Sequence, residues 1–103
     1  MAVALLNLEV HIPHANSLKD RRQVVRSLKD RLRRGFNVSV AEVDEAVSWR
    51  STSIAVAAVS RSRSYLAGLM QQVEEAALRI AGDLGAEVTD SSWTFLEDDA
   101  GEP

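Results

Sequence analysis

The apolar residues of this chain repeat with two different periods, and the order of those periods restricts the fold more than any other feature. Residues 3–12 and 36–43 alternate with a period of two, which is typical of strands with one buried face. Residues 49–60 are rich in β-branched side chains, and residues 87–96 predict a last strand. Two segments between these strands repeat their apolar residues every three to four positions, as amphipathic helices do.

The two helical segments have recognisable ends. The first helix is predicted over residues 18–34, with Ser17 as its N-terminal cap and Gly35 at the C′ position after its last turn. The second helix is predicted over residues 64–84, and Gly85 closes it. Each helix therefore lies between two predicted strands.

The resulting order, β-α-β-β-α-β, predicts an α+β fold. A ferredoxin-like two-layer sandwich, with two helices on one face of a four-stranded antiparallel sheet, buries both helices and one sheet face. We expect residues 1–96 to form one such domain and residues 97–103 to be a disordered acidic tail. The polar step Asp90-Ser91-Ser92 interrupts the last strand and indicates a β-bulge there.

The composition excludes several classes of protein. With no cysteine, the chain has neither disulfides nor thiolate metal sites. Residues 1–12 lack the basic start of a secretory signal and are too short to span a bilayer, so we expect a cytoplasmic protein without a membrane partner. The glycines do not cluster as a phosphate-binding loop requires, and no serine lies in a nucleophile elbow. We expect no catalytic residues, no cofactor and no small-molecule substrate.

The histidines do not change this expectation. His11 and His14 lie near the end of the first predicted strand, with Glu9 close by in the sequence. A zinc site needs three or four ligands that point toward one metal ion. The alternation of the strand, followed by Pro13, does not bring these side chains to one point. We therefore expect no metal site.

Basic residues are concentrated in the first predicted helix. Residues 19–34 hold eight of the twelve Lys and Arg residues but only two of the fifteen Asp and Glu residues, although the whole chain has a net charge of −3. Five of these cations follow each other at spacings of three, four, three and four, which places them on one helical face. This basic ridge consists of Lys19, Arg22, Arg26, Lys29 and Arg33.

Two interpretations of the basic ridge remain open. It is either a solvated face that keeps the protein soluble, or a surface that binds phosphates or an acidic partner. Arg21 is separate, because its position falls on the apolar face of the helix. It either forms an ion pair with an acid such as Glu42 or Asp44 at the sheet end, or anchors a ligand there.

Three segments resemble the YlxP-like family of bacterial proteins, a family of unknown function. They are His11-Ile12-Pro13, then residues 17–22 (SLKDRR), then residues 36–43 (FNVSVAEV). The resemblance covers residues 3–96 and implies a ferredoxin-like fold in the bacterial cytosol. Genes of this family often lie beside those for translation initiation and ribosome maturation factors, which implies a link to ribosomes by association and makes ribosomal RNA or a ribosomal particle a candidate partner.

The sequence also suggests a site of self-association. Val3 and Leu5, together with Trp93 or Phe95, are expected to form an apolar patch on the sheet face that the helices leave uncovered. This patch could form a homodimer. Two functions therefore follow from the sequence: a non-enzymatic accessory protein that binds RNA or ribosomes by backbone contacts along residues 19–33, Arg21 included, or a protein-interaction or homodimerisation module that binds no nucleic acid.

Overall fold

The architecture was analysed in a computed structural model, which describes residues 1–44 and 48–96. The strands are β1 (Ala2–His11), β2 (Ser39–Glu42), β3 (Ser51–Ser60) and β4 (Glu87–Phe95), and the helices are α1 (Leu18–Gly35) and α2 (Arg63–Asp83). They form one sheet in the order β2-β3-β1-β4, with every neighbouring pair antiparallel. The predicted ferredoxin-like α+β fold is confirmed. The predicted acidic tail, residues 97–103, lies outside the described residues.

The core lies between the sheet and the two helices. Alternate residues of β1 and β3 are buried on one face of the sheet, among them Leu6, Leu8 and Ile54. Helix α2 contacts β1, β4 and β3, whereas α1 contacts α2 and the short edge strand β2. The apolar stripe of α1 ends in Leu28 and Leu32, which are both fully buried. The outer flank of α1 consequently lies beside the β2 edge of the sheet.

Helix α2 is shifted by one residue from its predicted bounds, and the end of α1 differs from expectation in its capping residue. Gly35 is the last residue of α1 rather than a left-handed residue after it, and Phe36 follows in an extended conformation. Among the glycines of the described chain only Gly85, with a φ of 76°, is left-handed, and it follows the C-terminal cap of α2 as predicted. The prediction for Gly35 was wrong because the extended Phe36, whose N–H donates to the Leu32 carbonyl, already ends α1.

Ser17 caps α1 as predicted. Its Oγ accepts a hydrogen bond from the Asp20 N–H at 3.1 Å, and the Asp20 carboxylate accepts one in return from the Asn16 N–H at 3.0 Å. The Ser17 hydroxyl satisfies one N–H group that the first turn of the helix cannot pair internally, and the Asp20 carboxylate binds the N–H of the residue before the cap. This cap therefore fixes where α1 begins and how its first basic residues are oriented.

Replacing Ser17 by alanine should lower the free energy of unfolding by about 1 kcal/mol, because the Asp20 N–H loses its acceptor. Urea denaturation measures this change. Ser27→Ala is the matched control, since Ser27 lies inside α1, where alanine is the better helix former and no loss is expected. Equal effects of the two substitutions would show that the cap does not stabilise α1.

Strand β4 contains the expected bulge, one residue before the predicted step. Glu9 pairs with Asp90 and Val10 pairs with Val88, so Thr89 is the extra residue. An extra residue reverses the alternation of the strand. Val88 before the bulge and both Trp93 and Phe95 after it consequently face the helices.

Candidate functional site

The basic flank of α1 forms one wall of a groove. The groove has a volume of about 460 Å³ and extends along α1 to Glu42 at the end of β2. Its apolar residues are Leu18 and Val25, which lie on the core side of the basic ridge. We call this feature the α1 groove; the cations that line it are Arg22, Arg26, Lys29 and Arg33, together with the buried Arg21.

The structure places all five residues of the basic ridge along one flank of α1, but not all of them in the α1 groove. Lys19 is exposed on the first turn and is not among the residues lining the groove. Arg33 lies in the groove, and its Nη2 atom donates to Oδ1 of Asp30 at 3.3 Å. Both partners are close to half exposed, so this ion pair holds Arg33 only weakly.

Arg21 forms a buried ion cluster with two acids. Its Nη2 atom lies 2.5 Å from Oε2 of Glu42 and 3.6 Å from Oδ2 of Asp44, and its side chain is 5% exposed. Neither Nη2 contact has the geometry of a hydrogen bond, so both are ion pairs. The Nε–H donates to the carbonyl of Ser51 at 3.0 Å. The predicted ion pair of Arg21 with Glu42 or Asp44 is therefore confirmed.

The hydroxyl of Thr52 completes this cluster. It is buried, and it donates to Oε2 of Glu42 at 3.0 Å and approaches Oδ1 of Asp44 at 3.4 Å. The cluster thus joins the first turn of α1 to the end of β2 and the start of β3. The cluster holds the sheet edge against the helix at the end of the α1 groove, which Arg21 and Glu42 line.

Two features of the α1 groove were not predicted. The spacing of Leu18 from Val25 puts both on one helical face, but 44% of the Leu18 surface is exposed and the buried position of the first turn is taken by Arg21. The acidic end of the groove, Glu42, comes from another element. Helical spacing shows which residues share a face; it does not show which strand lies beside that face.

The predicted interface residues divide between the two faces of the sheet. Val3 and Leu5 are half-buried on the uncovered face, as expected. The placement of Trp93 and Phe95 on that face was wrong, since they pair with the inward-facing Leu6 and Ala4. The bulge at Thr89 reverses the alternation of β4, and this turns both aromatic rings toward the helices.

Trp93 and Phe95 pack against the core beneath α2. Their rings make an edge-to-face contact at 5.4 Å, and the Arg63 guanidinium lies 4.1 Å from the Phe95 ring centre. The Arg63 contact joins Phe95 of β4 to the first turn of α2.

The histidine region shows no arrangement of three metal ligands. His11 Nδ1 lies 3.2 Å from Oε1 of Glu87, and His14 is exposed. Within residues 1–44 and 48–96, no group of three or more His, Asp or Glu side chains could hold a metal ion. Neither helix in the described part of the chain is long and apolar enough to cross a membrane.

The fold and the α1 groove define a small ferredoxin-like α+β protein with a basic flank, and comparison with known proteins gives its family. Residues 3–93 match the family described as "Protein of unknown function (DUF503)". The uncharacterized protein YlxP of Bacillus subtilis is 35% identical over 71 residues, which cover 69% of this chain and 77% of that protein. The chain belongs to this YlxP-like family.

Solved structures confirm the fold alone. A de novo designed protein with a ferredoxin fold matches with a TM-score of 0.55 and 8% identity, covering all of this chain and 91% of the design. A hydantoinase/carbamoylase family amidase from Burkholderia ambifaria matches with a TM-score of 0.53 and 12% identity over 93% of this chain. The chain spans only 28% of that amidase.

Proposed function

We propose that this protein is a cytoplasmic, non-enzymatic accessory protein that binds RNA, free or within a ribosomal particle, through the α1 groove. The observation that supports this most is the alignment of Arg22, Arg26, Lys29 and Arg33 in one groove. The family resemblance adds a genetic association with ribosome maturation. The proposal covers binding, and no chemical step is assigned.

The spacing of the cations suits a phosphate backbone. At 1.5 Å per residue, the distance along the helix from Arg22 to Arg33 is about 16 Å. One strand of a nucleic-acid duplex presents about five phosphates over that length. The remainder of the chain is strongly acidic, since residues 19–34 hold most of the basic side chains. A polyanion is therefore attracted to the α1 groove and repelled by most of the other surface.

The groove favours backbone contacts over reading of bases. Sequence-specific recognition of single-stranded RNA commonly stacks bases on aromatic side chains, and none of the residues that line the α1 groove is aromatic. Arginine and lysine side chains instead contact phosphates, which carry no sequence information directly. We therefore infer structured RNA, recognised by its shape and charge, as the ligand class.

Salt dependence gives a quantitative test. If the four groove cations contact phosphates, the logarithm of the association constant for a duplex RNA should fall with the logarithm of the salt concentration with a slope of about −3.6. Fluorescence anisotropy from 50 to 300 mM KCl measures the slope. Arg26→Glu should lower its magnitude by about 1, whereas the control Arg79→Glu, the same charge change on α2, should leave it unchanged.

A pull-down from a lysate tests the competing function, a protein-interaction module that binds no nucleic acid. Capture of ribosomal RNA by the tagged protein at low salt, lost after nuclease treatment, supports the proposal. An acidic protein partner that survives nuclease, combined with no binding of purified RNA at 50 mM salt, would contradict it. That combination would instead identify a protein-interaction module.

A further inference from the structure

The sheet face opposite the helices, which we call the open face, is aliphatic at one end and acidic at the other. Side chains from β3, β1 and β4 line up in rows across it, because the strands pair in register. At one end the row is Val59, Val3 and Leu96, where the Leu96 N–H donates to the Val3 carbonyl at 2.9 Å. The following row is Ala57, Leu5 and Thr94.

The far end of the open face is acidic. Glu9 lies opposite Asp90, and its carboxylate accepts hydrogen bonds from the Ser53 hydroxyl at 2.6 and 2.9 Å. The last row contains His11 and Glu87, which contact each other at 3.2 Å. One half of the face is thus aliphatic and the other half is negatively charged.

The aliphatic half leaves large side chains in water. Val59 is 64% exposed and Leu96 is 48% exposed, although β-branched and leucine side chains of a sheet are normally covered by a second layer. Arg61, an exposed cation, follows directly after β3 beyond this aliphatic end. The open face therefore has its aliphatic rows next to the exposed Arg61 and its carboxylates at the opposite end.

We propose that a second copy of this chain packs on the open face, related by a two-fold axis that crosses the strands near Leu5. This arrangement places Leu5 on Leu5 and Ala57 on Ala57, and it sets Val59 of each copy against Ala55 of the other. It also brings Arg61 of each copy to the Ser53 and Glu9 end of the other. An axis parallel to the strands would instead oppose the two acidic ends, and like charges disfavour that arrangement.

The size of the face determines how strong this contact is. The strands hold ten, four, ten and nine residues; at about 3.4 Å per residue and about 4.8 Å between strands, they give a face of about 540 Å² per copy. Stable interfaces bury about 800 Å² per partner, so the dimer is a weak one that forms and separates with concentration. Both helices lie on the other side of the sheet, so each copy keeps its α1 groove free, and this inference does not rest on RNA binding.

Sedimentation equilibrium from about 10 µM to about 1 mM tests the dimer in the range expected for a small interface. Self-association should be detectable, and Val59→Lys should weaken it at least about tenfold by placing a charge on the aliphatic rows. The matched control is Leu78→Lys, since Leu78 is 49% exposed on α2, and it should associate like the wild type. A monomer up to about 1 mM, or equal behaviour of the two variants, would overturn the proposal.

A charge exchange tests the direction of the two-fold axis. Arg61→Glu and Glu9→Arg should each weaken association about threefold at low salt, because each opposes like charges across the interface. The double variant should regain most of the lost affinity. Additive weakening in the double variant would reject this arrangement of the two copies. RNA binding should stay unchanged in all three, so a failed dimer and a failed RNA proposal give different results.

Discussion

Replacing both Arg22 and Arg26 by glutamate should lower the affinity for structured RNA at least about 30-fold at 50 mM salt. Two phosphate contacts are lost, and two new negative charges repel the backbone in the middle of the α1 groove. The salt slope should fall to about half its wild-type magnitude, since two of the four groove cations remain. Anisotropy titrations with one duplex RNA over a salt series measure both quantities.

The same double variant should remain as stable as the wild type. Four cations repel each other at spacings of three and four along α1: Lys19, Arg22, Arg26 and Lys29. Glutamates at the two middle positions convert several of these repulsions into attractions. Both replaced side chains are exposed, so the melting temperature should change by less than about 3 °C. Arg79→Glu controls for the change in net charge. Wild-type affinity in the double variant would exclude the α1 groove as the RNA site.

Replacing Arg21 by methionine should have the largest effect on stability, with a loss of about 3 kcal/mol in the free energy of unfolding. Arg21 is 5% exposed, and without it Glu42 and Asp44 face each other with no counter-ion. The two carboxylates are 26% and 28% exposed and can be partly solvated, which keeps the expected loss at the lower end of the range for buried pairs. The melting temperature should fall by more than about 10 °C.

A double-mutant cycle separates the ion pair from the packing of Arg21. Glu42→Gln should also destabilise the protein, and the combination Arg21→Met with Glu42→Gln should cost clearly less than the sum of the two single changes. Urea denaturation measures all three variants. A loss below about 1 kcal/mol for Arg21→Met, or strict additivity in the cycle, would show that the cluster does not fix the sheet edge against α1.

Most of the fold could be predicted from the sequence because its signals are local. Two amphipathic stripes and four strand patterns give the element order, and only a few arrangements bury both helices. The prediction failed at the faces of β4. A bulge anywhere between Val88 and Trp93 reverses the alternation and turns Trp93 and Phe95 toward the helices, yet both were expected on the open face. Requiring every large apolar side chain of β4 to face the core would have corrected this error.

The candidate site was predictable to a similar limit. The alignment of Arg22, Arg26, Lys29 and Arg33 follows from helical spacing alone, and so does the inward position of Arg21. The α1 groove itself depends on two further facts: β2 is the edge strand beside α1, and Leu18 is exposed in the groove instead of buried in the core. Such features arise from contacts between distant residues, for example Arg21 with Ser51 and Thr52 with Glu42. Periodicity within one element carries no information about them.

The most direct test of RNA binding by the α1 groove is to titrate a duplex RNA into the isotope-labelled protein at 50 mM salt and follow its amide and arginine side-chain NMR signals. We expect concentration-dependent shifts at Arg22, Arg26, Lys29 and Arg33, little change on the open face around Leu5 and Glu9, and reversal at 500 mM salt. Unchanged spectra at saturating RNA, or shifts centred away from α1, would contradict the proposed function.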